Sequence, residues 1–433
     1  MNYEEALAYI NDKEKYGSRL GLDSIRTLLG HLGDPHIGMK YIHVGGTNGK
    51  GSTSAYLAHC LEEAGYRSGL YTSPYLERFT ERIQINGEDI PQEVLGDITS
   101  KVKKAADRMV QDGMEHPTTF ELVTAVGFEY FNRSNVDFVI LEVGLGGRFD
   151  STNVIQSSVA SVITTIDYDH TDVLGKTLAE IAYQKAGIIK ENGLVVSYPQ
   201  KMEAEKVIAE VAYEKGADFV KLPIDNLKIR TSTYQGSVFD FKYKGNAYEN
   251  LQISMLGDYQ VMNAALAVTT ILELRDRGIL EITEGQLRSG LLKTKWKGRL
   301  EVLSRDPIFL IDGAHNLQGI TLLADAVKMF PYNRLILGMS VLKDKDYTHM
   351  IEKLVPLADQ VVVTEVNMPR KLAAELLGEE VRKLTSNVHV EKTIKGAVRK
   401  SIELAKKDDM ILFGGSLYMI GEVRSHAINL LTK

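Results

Sequence analysis

A short apolar run, Tyr41-Ile42-His43-Val44, passes directly into Gly45-Gly46-Thr47-Asn48-Gly49-Lys50-Gly51-Ser52 and then into a helical stretch from Ser52 to Ala64. That succession constrains the chain more than any other of its features. A buried strand that feeds a glycine-rich turn opening a helix is a βα unit, and such units assemble parallel sheets covered on both faces. The rhythm recurs. Arg67 to Tyr71, Phe138-Val139-Ile140-Leu141-Glu142 and Ser158 to Ile163 read as strands, while Thr119 to Phe131 carries Leu122, Val126 and Tyr130 at helical spacing. Asn86-Gly87, between Arg82-Ile83-Gln84-Ile85 and Glu88-Asp89-Ile90, predicts a tight hairpin.

From Asp218 to Leu256 the pattern changes to short alternating segments such as Val238-Phe239-Asp240-Phe241-Lys242-Tyr243, which predict a few antiparallel strands. A helical pattern returns from Tyr259 to Arg275. After the basic stretch Lys293-Thr294-Lys295-Trp296-Lys297-Gly298-Arg299 a second αβ rhythm begins, with strands expected at Ile308 to Ile311, Arg334 to Leu337, Gln360 to Val363, Val388 to Val390 and Met410 to Phe413. With 433 residues the chain is too long for one ordinary core. The expected architecture is α/β: a P-loop-type, mostly parallel sheet domain with a small antiparallel insertion over residues 1–296, and a Rossmann-like α/β domain over 297–433.

A formal charge of −6 argues against a general nucleic-acid or acidic-membrane surface, so an anionic substrate must be met by local Lys and Arg. Cys60 is the single cysteine, which excludes an internal disulfide and a cysteine-based zinc site; within an apolar helix it reads as a small buried residue. Met1 to Tyr16 lacks the basic start and apolar centre of a signal peptide. No apolar run approaches the ~18 residues of a membrane span. The cytoplasm is the expected compartment.

The loop at Gly45 carries the first chemistry. Glycines let backbone N–H groups turn inward around phosphates, and the helix that follows adds a favourable field at its N-terminus. Lys50 is expected to reach the β and γ oxygens, with Ser52 or Thr53 near a metal. The spacing departs from the usual Walker pattern, because Gly51 separates the lysine from the hydroxyl residue. Gly46-Thr47-Asn48-Gly49-Lys50-Gly51-Ser52 resembles the ATP loop of the Mur ligases and of their folate relatives, the folylpolyglutamate synthases. The resemblance extends almost end to end.

It implies the Mur ligase architecture, and it implies roles that spacing alone does not. Ser73 in Tyr71-Thr72-Ser73-Pro74, Glu142 at the end of its strand, and His170 in Asp167-Tyr168-Asp169-His170 all lie past strand carboxyl ends and can converge there. Oxygen donors such as Ser73 and Glu142 suit magnesium; the resemblance alone adds His170. It also implies that Lys185 is carbamylated by carbon dioxide to a carboxylate that supports the metal, which needs an amine that is neutral part of the time. ATP and Mg2+ are the implied cofactors, with a monovalent cation such as K+ as a further candidate. Late in the first domain Asn263 matches an adenine-contacting asparagine at a helix start; in the second, Arg299 matches an arginine that meets ATP phosphates, and Asp312 and His315 residues beside the nucleotide. ATP is then expected to be gripped between the domains, contacted by Asn48, Gly49, Lys50, Gly51 and Ser52 from the first. Phe413-Gly414-Gly415-Ser416-Leu417-Tyr418 is similar to the family's last motif and is assigned to packing or cleft shape.

Two stretches resemble pterin-binding parts of the family. One is Leu20-Gly21-Leu22; the other combines Thr119, Phe120, Glu121 and Leu122 with Phe149, Asp150 and Ser151. Phe120 or Phe149 can stack on a pterin, and Asp150 or Glu121 can accept from its ring N–H groups. The loop from Ser73 to Arg82 resembles one that lies over the folate. The implied activity is ATP-dependent addition of L-glutamate to the γ-carboxylate of folates through an acyl phosphate, with Lys50, Lys185 and His315 as catalytic residues and His315 as the candidate base for the amine. Leu20-Gly21-Leu22 raises a second activity, conversion of dihydropteroate to dihydrofolate. The implied partners are small molecules alone, and the chain is expected to be a monomer. The rival readings are a Mur-type amino-acid ligase for a cell-wall precursor, disfavoured by a loop that begins at Gly45 with no large domain before it, and a non-catalytic ATP-binding module.

Overall fold

A computed structural model describes residues 1–13 and 21–431; Leu20 of the expected Leu20-Gly21-Leu22 segment lies outside them. Two compact units form. The first comprises Met1–Lys228, Asp240–Leu251 and Met262–Thr294, the second Ile229–Phe239, Gln252–Val261 and Lys295–Lys433. The chain therefore passes between units more than once, and two short segments that a single boundary near Trp296 assigns to the first domain cluster with the second.

The first unit is built on β1 (Lys40–Gly45), β2 (Ser68–Tyr71), β3 (Ile83–Ile85), β4 (Glu88–Asp89), β5 (Phe138–Glu142), β6 (Ala160–Ile163), β7 (Leu194–Ser197) and β8 (Asp218–Lys221), in the order β4-β3-β2-β5-β1-β6-β7-β8. From β2 to β8 the neighbours are parallel, and β3 and β4 add an antiparallel edge. Every residue of β5 is buried, as its unbroken apolar run requires of a strand covered on both faces. One face carries the helices Asp23–Leu32, Gln92–Gln111 and Thr119–Arg133, whose apolar stripes meet Tyr41, Tyr71, Val139 and Leu141. The other carries Leu178–Ala186 and Met202–Glu214 against Val143, Ile163 and Val195. The hairpin forms at Asn86-Gly87, with φ of +47° and +75°, as a two-residue turn that demands two left-handed residues would have it. Cys60 is fully buried in the helix Lys50–Glu63, and burial pushes its thiol up to about 12, which suits packing and not reactivity.

Chain order sets where a site can form. After β1 the chain moves to one side, to β2 and later β5; after β5 it crosses to β6 on the other side of β1. The carboxyl ends of β5, β1 and β6 therefore lie side by side, with Val44 opposite Glu142 and Gly45 opposite Ile163. Such a reversal opens a crevice beyond the strand ends.

β9 (Leu227–Thr233), β10 (Gly236–Tyr243) and β11 (Asn246–Ile253) form a three-stranded sheet in the order β11-β10-β9. The second unit has β12 (Glu301–Arg305), β13 (Ile308–Ile311), β14 (Leu335–Met339), β15 (Gln360–Val363), β16 (Val388–Val390) and β17 (Met410–Gly414), ordered β12-β13-β17-β14-β15-β16. All neighbours are parallel except β12 with β13. Sequence periodicity does not reveal β12, because it is a half-buried antiparallel edge whose register shifts between Val302 and Ser304. The stretch from Asp218 expected to be antiparallel begins instead with β8, which pairs in parallel with β7 at the edge of the main sheet and whose four residues are all at least partly exposed. Among the described residues no helix is long and apolar enough to cross a membrane.

Candidate active site

The glycine-rich loop leaves β1 with backbone that only glycine tolerates. Gly46 has φ +147°, and a Cβ there would overlap the Thr164 hydroxyl. Gly49, at φ +88°, is the N-cap of the helix Lys50–Glu63, and a Cβ on it would lie 2.6 Å from Asn263 Oδ1. Hydrogen bonds to the segment after β6 fix the loop. Thr47 N donates to Thr165 O at 2.6 Å, Thr47 Oγ1 donates to Asp167 O at 3.0 Å, and Asp167 N donates back to Thr47 Oγ1 at 3.1 Å. Gly46→Ala is therefore expected to lose about 3 kcal/mol or more of stability, from overpacking together with left-handed strain, and to lose nucleotide binding with it. Urea denaturation and titration with an ATP analogue check this; an unchanged midpoint would show that the loop relaxes freely.

Two lysines share one acceptor. Lys50 Nζ donates to Gly46 O and Thr47 O, each at 3.1 Å, and Lys185 Nζ reaches the same Gly46 O at 2.7 Å. Lys185 is buried, and its pKa is lowered to about 7, first by desolvation and then by the Lys50 charge, with Asp169 and Asp150 opposing. Near neutral pH a large fraction of Lys185 is therefore a free amine.

Glu142 is buried at the end of β5, and Ser73, just past the end of β2, points its backbone N–H at Glu142 Oε2 from 3.4 Å. Strand order, not sequence proximity, brings this pair together. His170 sits at the N-cap of the helix Thr171–Leu174 with φ +50°, and its N–H donates to Asp169 Oδ1 at 2.9 Å. Asp169 was not singled out by sequence; its loop composition gives no sign that it acts on Lys185. A buried carboxylate beside a serine, both at strand ends next to a phosphate-type loop, fits the oxygen chemistry that magnesium prefers.

The expected pterin residues divide in their surroundings. Leu122 is core, and Glu121 completes a capping box with Thr118 on the helix Thr119–Arg133. Asp150 is buried with both oxygens engaged by its own loop: Oδ2 accepts from Leu145 N at 2.8 Å, and Oδ1 accepts from Thr152 N and Thr152 Oγ1 at 3.0 and 2.5 Å. Burial raises its pKa, against those hydrogen bonds. Thr152 Oγ1 also lies 2.9 Å from Nε2 of the buried His43. The Phe120 ring packs over Gly144, where a Cβ would come within 2.5 Å of it, and meets the Tyr71 ring edge-on at 6.3 Å. Phe149 is exposed. Thr119 Oγ1 donates to Ile10 O at 3.1 Å, Ser151 is buried at the start of a 3-10 turn, Gly21 has φ +128°, and Leu22 is the N-cap of Asp23–Leu32.

Asn48 lies in the loop, paired in an isolated bridge with Thr165, and Gly51 and Ser52 are buried in the first turn after it. Asn263 is buried within the helix Asp258–Asp276 and lies against Gly49, deeper in its helix than the start expected of it.

In the second unit Asp312 follows β13 and is buried, its oxygens accepting from Leu300 N at 2.7 Å and Ala314 N at 2.8 Å. Burial raises its pKa, opposed by the Arg299 charge. Arg299 donates to Gly298 O at 3.1 Å and lies against Gly313. His315 Nδ1 is 2.8 Å from Gly313 O. A carbonyl can only accept, so Nδ1 carries a proton. Phe413 stacks on Phe309 inside the sheet, and the Ser416 hydroxyl is buried without a hydrogen-bond partner.

Residues 44–271, more than half of the chain, match the Mur ligase middle domain, and residues 298–417 match the Mur ligase glutamate ligase domain. The dihydrofolate synthase/folylpolyglutamate synthase of Bacillus subtilis (strain 168) is 38% identical over 428 residues, covering 98% of both chains. The folylpolyglutamate synthase of Mycobacterium tuberculosis complexed with ADP and AMPPCP superposes with a TM-score of 0.89 at 28% identity, over 98% of each chain. A folylpolyglutamate synthase–AMPPCP–folate complex is 34% identical with a TM-score of 0.86 over 100% of both chains.

Proposed function

Because the chain belongs to the Mur ligase family, in its folylpolyglutamate synthase branch, we infer that it is an ATP-dependent ligase that adds L-glutamate to the γ-carboxylate of folates. The observation that carries this reading is the Gly46 turn with Lys50 and Lys185 on one carbonyl, set beside the buried Glu142 and Ser73.

Joining a carboxylate to an amine is uphill in water and needs activation. The substrate carboxylate oxygen attacks the γ-phosphorus of ATP; the bond to the β-phosphate oxygen breaks, leaving ADP and an acyl phosphate. Lys50 neutralises charge on the phosphoryl oxygens, with Asn48, Gly49, Gly51 and Ser52 lining the phosphates. Ser73, Glu142 and His170 would hold magnesium. When bound, the ion supplies charge neutralisation at the transferred phosphoryl group. Lys185 is proposed to take up carbon dioxide, its amine nitrogen bonding to carbon with loss of one proton, to give a carbamate.

For the second unit we propose that Arg299 and Asp312 bind the nucleotide, and that His315 Nε2 removes a proton from the incoming ammonium. The free amine then attacks the acyl carbon, and the tetrahedral intermediate expels phosphate. Phe120 and Phe149 are proposed to supply aromatic surface for a pterin, with Gly21-Leu22 and the Asp150 loop as further contacts.

A second substrate, dihydropteroate, is favoured by the Gly21-Leu22 segment and by the double name of the B. subtilis relative. Purified protein with ATP and L-glutamate should release phosphate with tetrahydrofolate, and with dihydropteroate if both activities are present. Phosphate release with a UDP-muramoyl acceptor and none with either pterin would replace this reading by a cell-wall ligase.

A further inference from the structure

Two residues before Gly45, β1 carries a fully buried histidine, His43. Burial and the nearby Lys190 charge hold its pKa well below the ordinary range, so the ring is neutral and carries one proton. The Thr152 hydroxyl decides where that proton sits. Leu145 N and Thr152 N both donate to Asp150, whose oxygens therefore act as acceptors, and Thr152 Oγ1 gives its single proton to Oδ1 at 2.5 Å. Toward His43, 2.9 Å away, the Thr152 oxygen can then only accept, which places the imidazole proton on Nε2. Nδ1 is left as a bare lone pair, buried and without a hydrogen-bond partner.

For stability alone this is a poor use of a histidine. A buried nitrogen with no partner carries its full desolvation cost, which an apolar side chain of similar size avoids. It is no route for protons either, because the chain of donors stops at Nδ1. What the ring does is occupy a lone pair of Thr152 Oγ1 and so turn the hydroxyl proton toward Asp150. That carboxylate in turn fixes the loop after β5. Its Oδ2 ties down Leu145 N, next to the Gly144 on which the Phe120 ring packs, and Phe149 immediately precedes it. Both rings proposed to meet the pterin therefore depend on one carboxylate, and a residue of the nucleotide strand orients its hydroxyl donor.

We propose that His43 is a positioning residue for the acceptor: it aims the Thr152 hydroxyl at Asp150 and so fixes the loop that carries Gly144 and Phe149. This rests on the folate-ligase reading above.

His43→Leu and Thr152→Val, singly and together, are compared with the unsubstituted enzyme by kcat, melting temperature and KM for tetrahydrofolate, ATP and L-glutamate. His43→Leu should raise KM for tetrahydrofolate roughly 3- to 10-fold, the worth of one neutral hydrogen bond, with kcat changed less. Thr152→Val should raise it further, because it also loses the bond to a carboxylate. KM for ATP should stay put in both. That contrast separates positioning from a merely structural role, since a disturbed β1 would reach the phosphate loop first. In the Thr152→Val background His43→Leu should add no further rise, because the ring acts only through that hydroxyl. Independent, multiplying effects of the two substitutions, an equal rise in KM for ATP, or no change in any KM overturns the proposal. Should the melting temperature show that His43→Leu does not fold, Thr152→Val decides the matter by the same contrast between tetrahydrofolate and ATP. An unsubstituted enzyme that glutamylates no pterin acceptor overturns the ligase reading instead.

Discussion

Glu142→Ala is expected to abolish ligation, with kcat lowered by roughly 10³-fold or more, as for loss of a group that organises charge at a transferred phosphoryl. The fold should survive. Glu142 lies at the last position of β5, where it meets the Ser73 N–H at 3.4 Å, and the apolar residues before it carry the packing of the strand. Burial of this carboxylate is costly unless a cation satisfies it, which is the physical reason to place function there. Magnesium-dependent phosphate release and thermal unfolding measured on one preparation test both halves. Near-normal turnover in Glu142→Ala would refute the metal assignment; a collapsed melting temperature would make Glu142 a structural residue.

Lys185→Met is expected to lower kcat by roughly 10²- to 10³-fold, the range for losing one group that stabilises the transition state. The unsubstituted enzyme should lose activity when carbon dioxide is stripped and regain it with bicarbonate, whereas Lys185→Met ignores both. Only the free amine reacts with carbon dioxide, and the amine pKa is lowered from 10.5 to about 7. Reactivation should therefore weaken as pH falls below about 7. Linkage gives a second readout. Between pH 7 and 10.5 the folded state binds fewer protons at this site than the unfolded chain does, so the unmodified enzyme gains stability with rising pH across that window. The penalty of burying the ammonium is fully present below the window and gone above it. Lys185→Met lacks this component of the pH dependence. Carbon-13 bicarbonate should give a carbamate resonance in the unsubstituted enzyme only; no resonance, with activity indifferent to carbon dioxide, would sink the modification.

Much of this site is legible in sequence because it is local. The Gly45-to-Ser52 loop declares its backbone demands through its glycines, whereas Ser73, Glu142 and His170 stand just past apolar runs and owe their roles to the family resemblance, not to local pattern. What the sequence conceals depends on packing between distant segments. Nothing near Lys185 shows that its amine meets the Gly46 carbonyl, 139 residues away. Nothing in Phe149-Asp150-Ser151 shows that the carboxylate is held by Leu145 and Thr152. The edge strand β12 is hidden for a related reason: partial exposure erases the apolar alternation that marks a strand covered on both sides.

The repeated passage of the chain between its two units limits how the molecule can be dissected. Tyr234, Leu256 and Tyr259 pack with Phe330, Leu337 and the rest of the second unit's apolar centre, yet all three precede Trp296. A fragment beginning at residue 297 would leave them behind, baring oily surface and inviting self-association. Its partner fragment would carry the same three side chains into water. Studies that need one half in isolation would have to splice residues 229–239 and 252–261 onto it, since no single scissile point separates the halves cleanly.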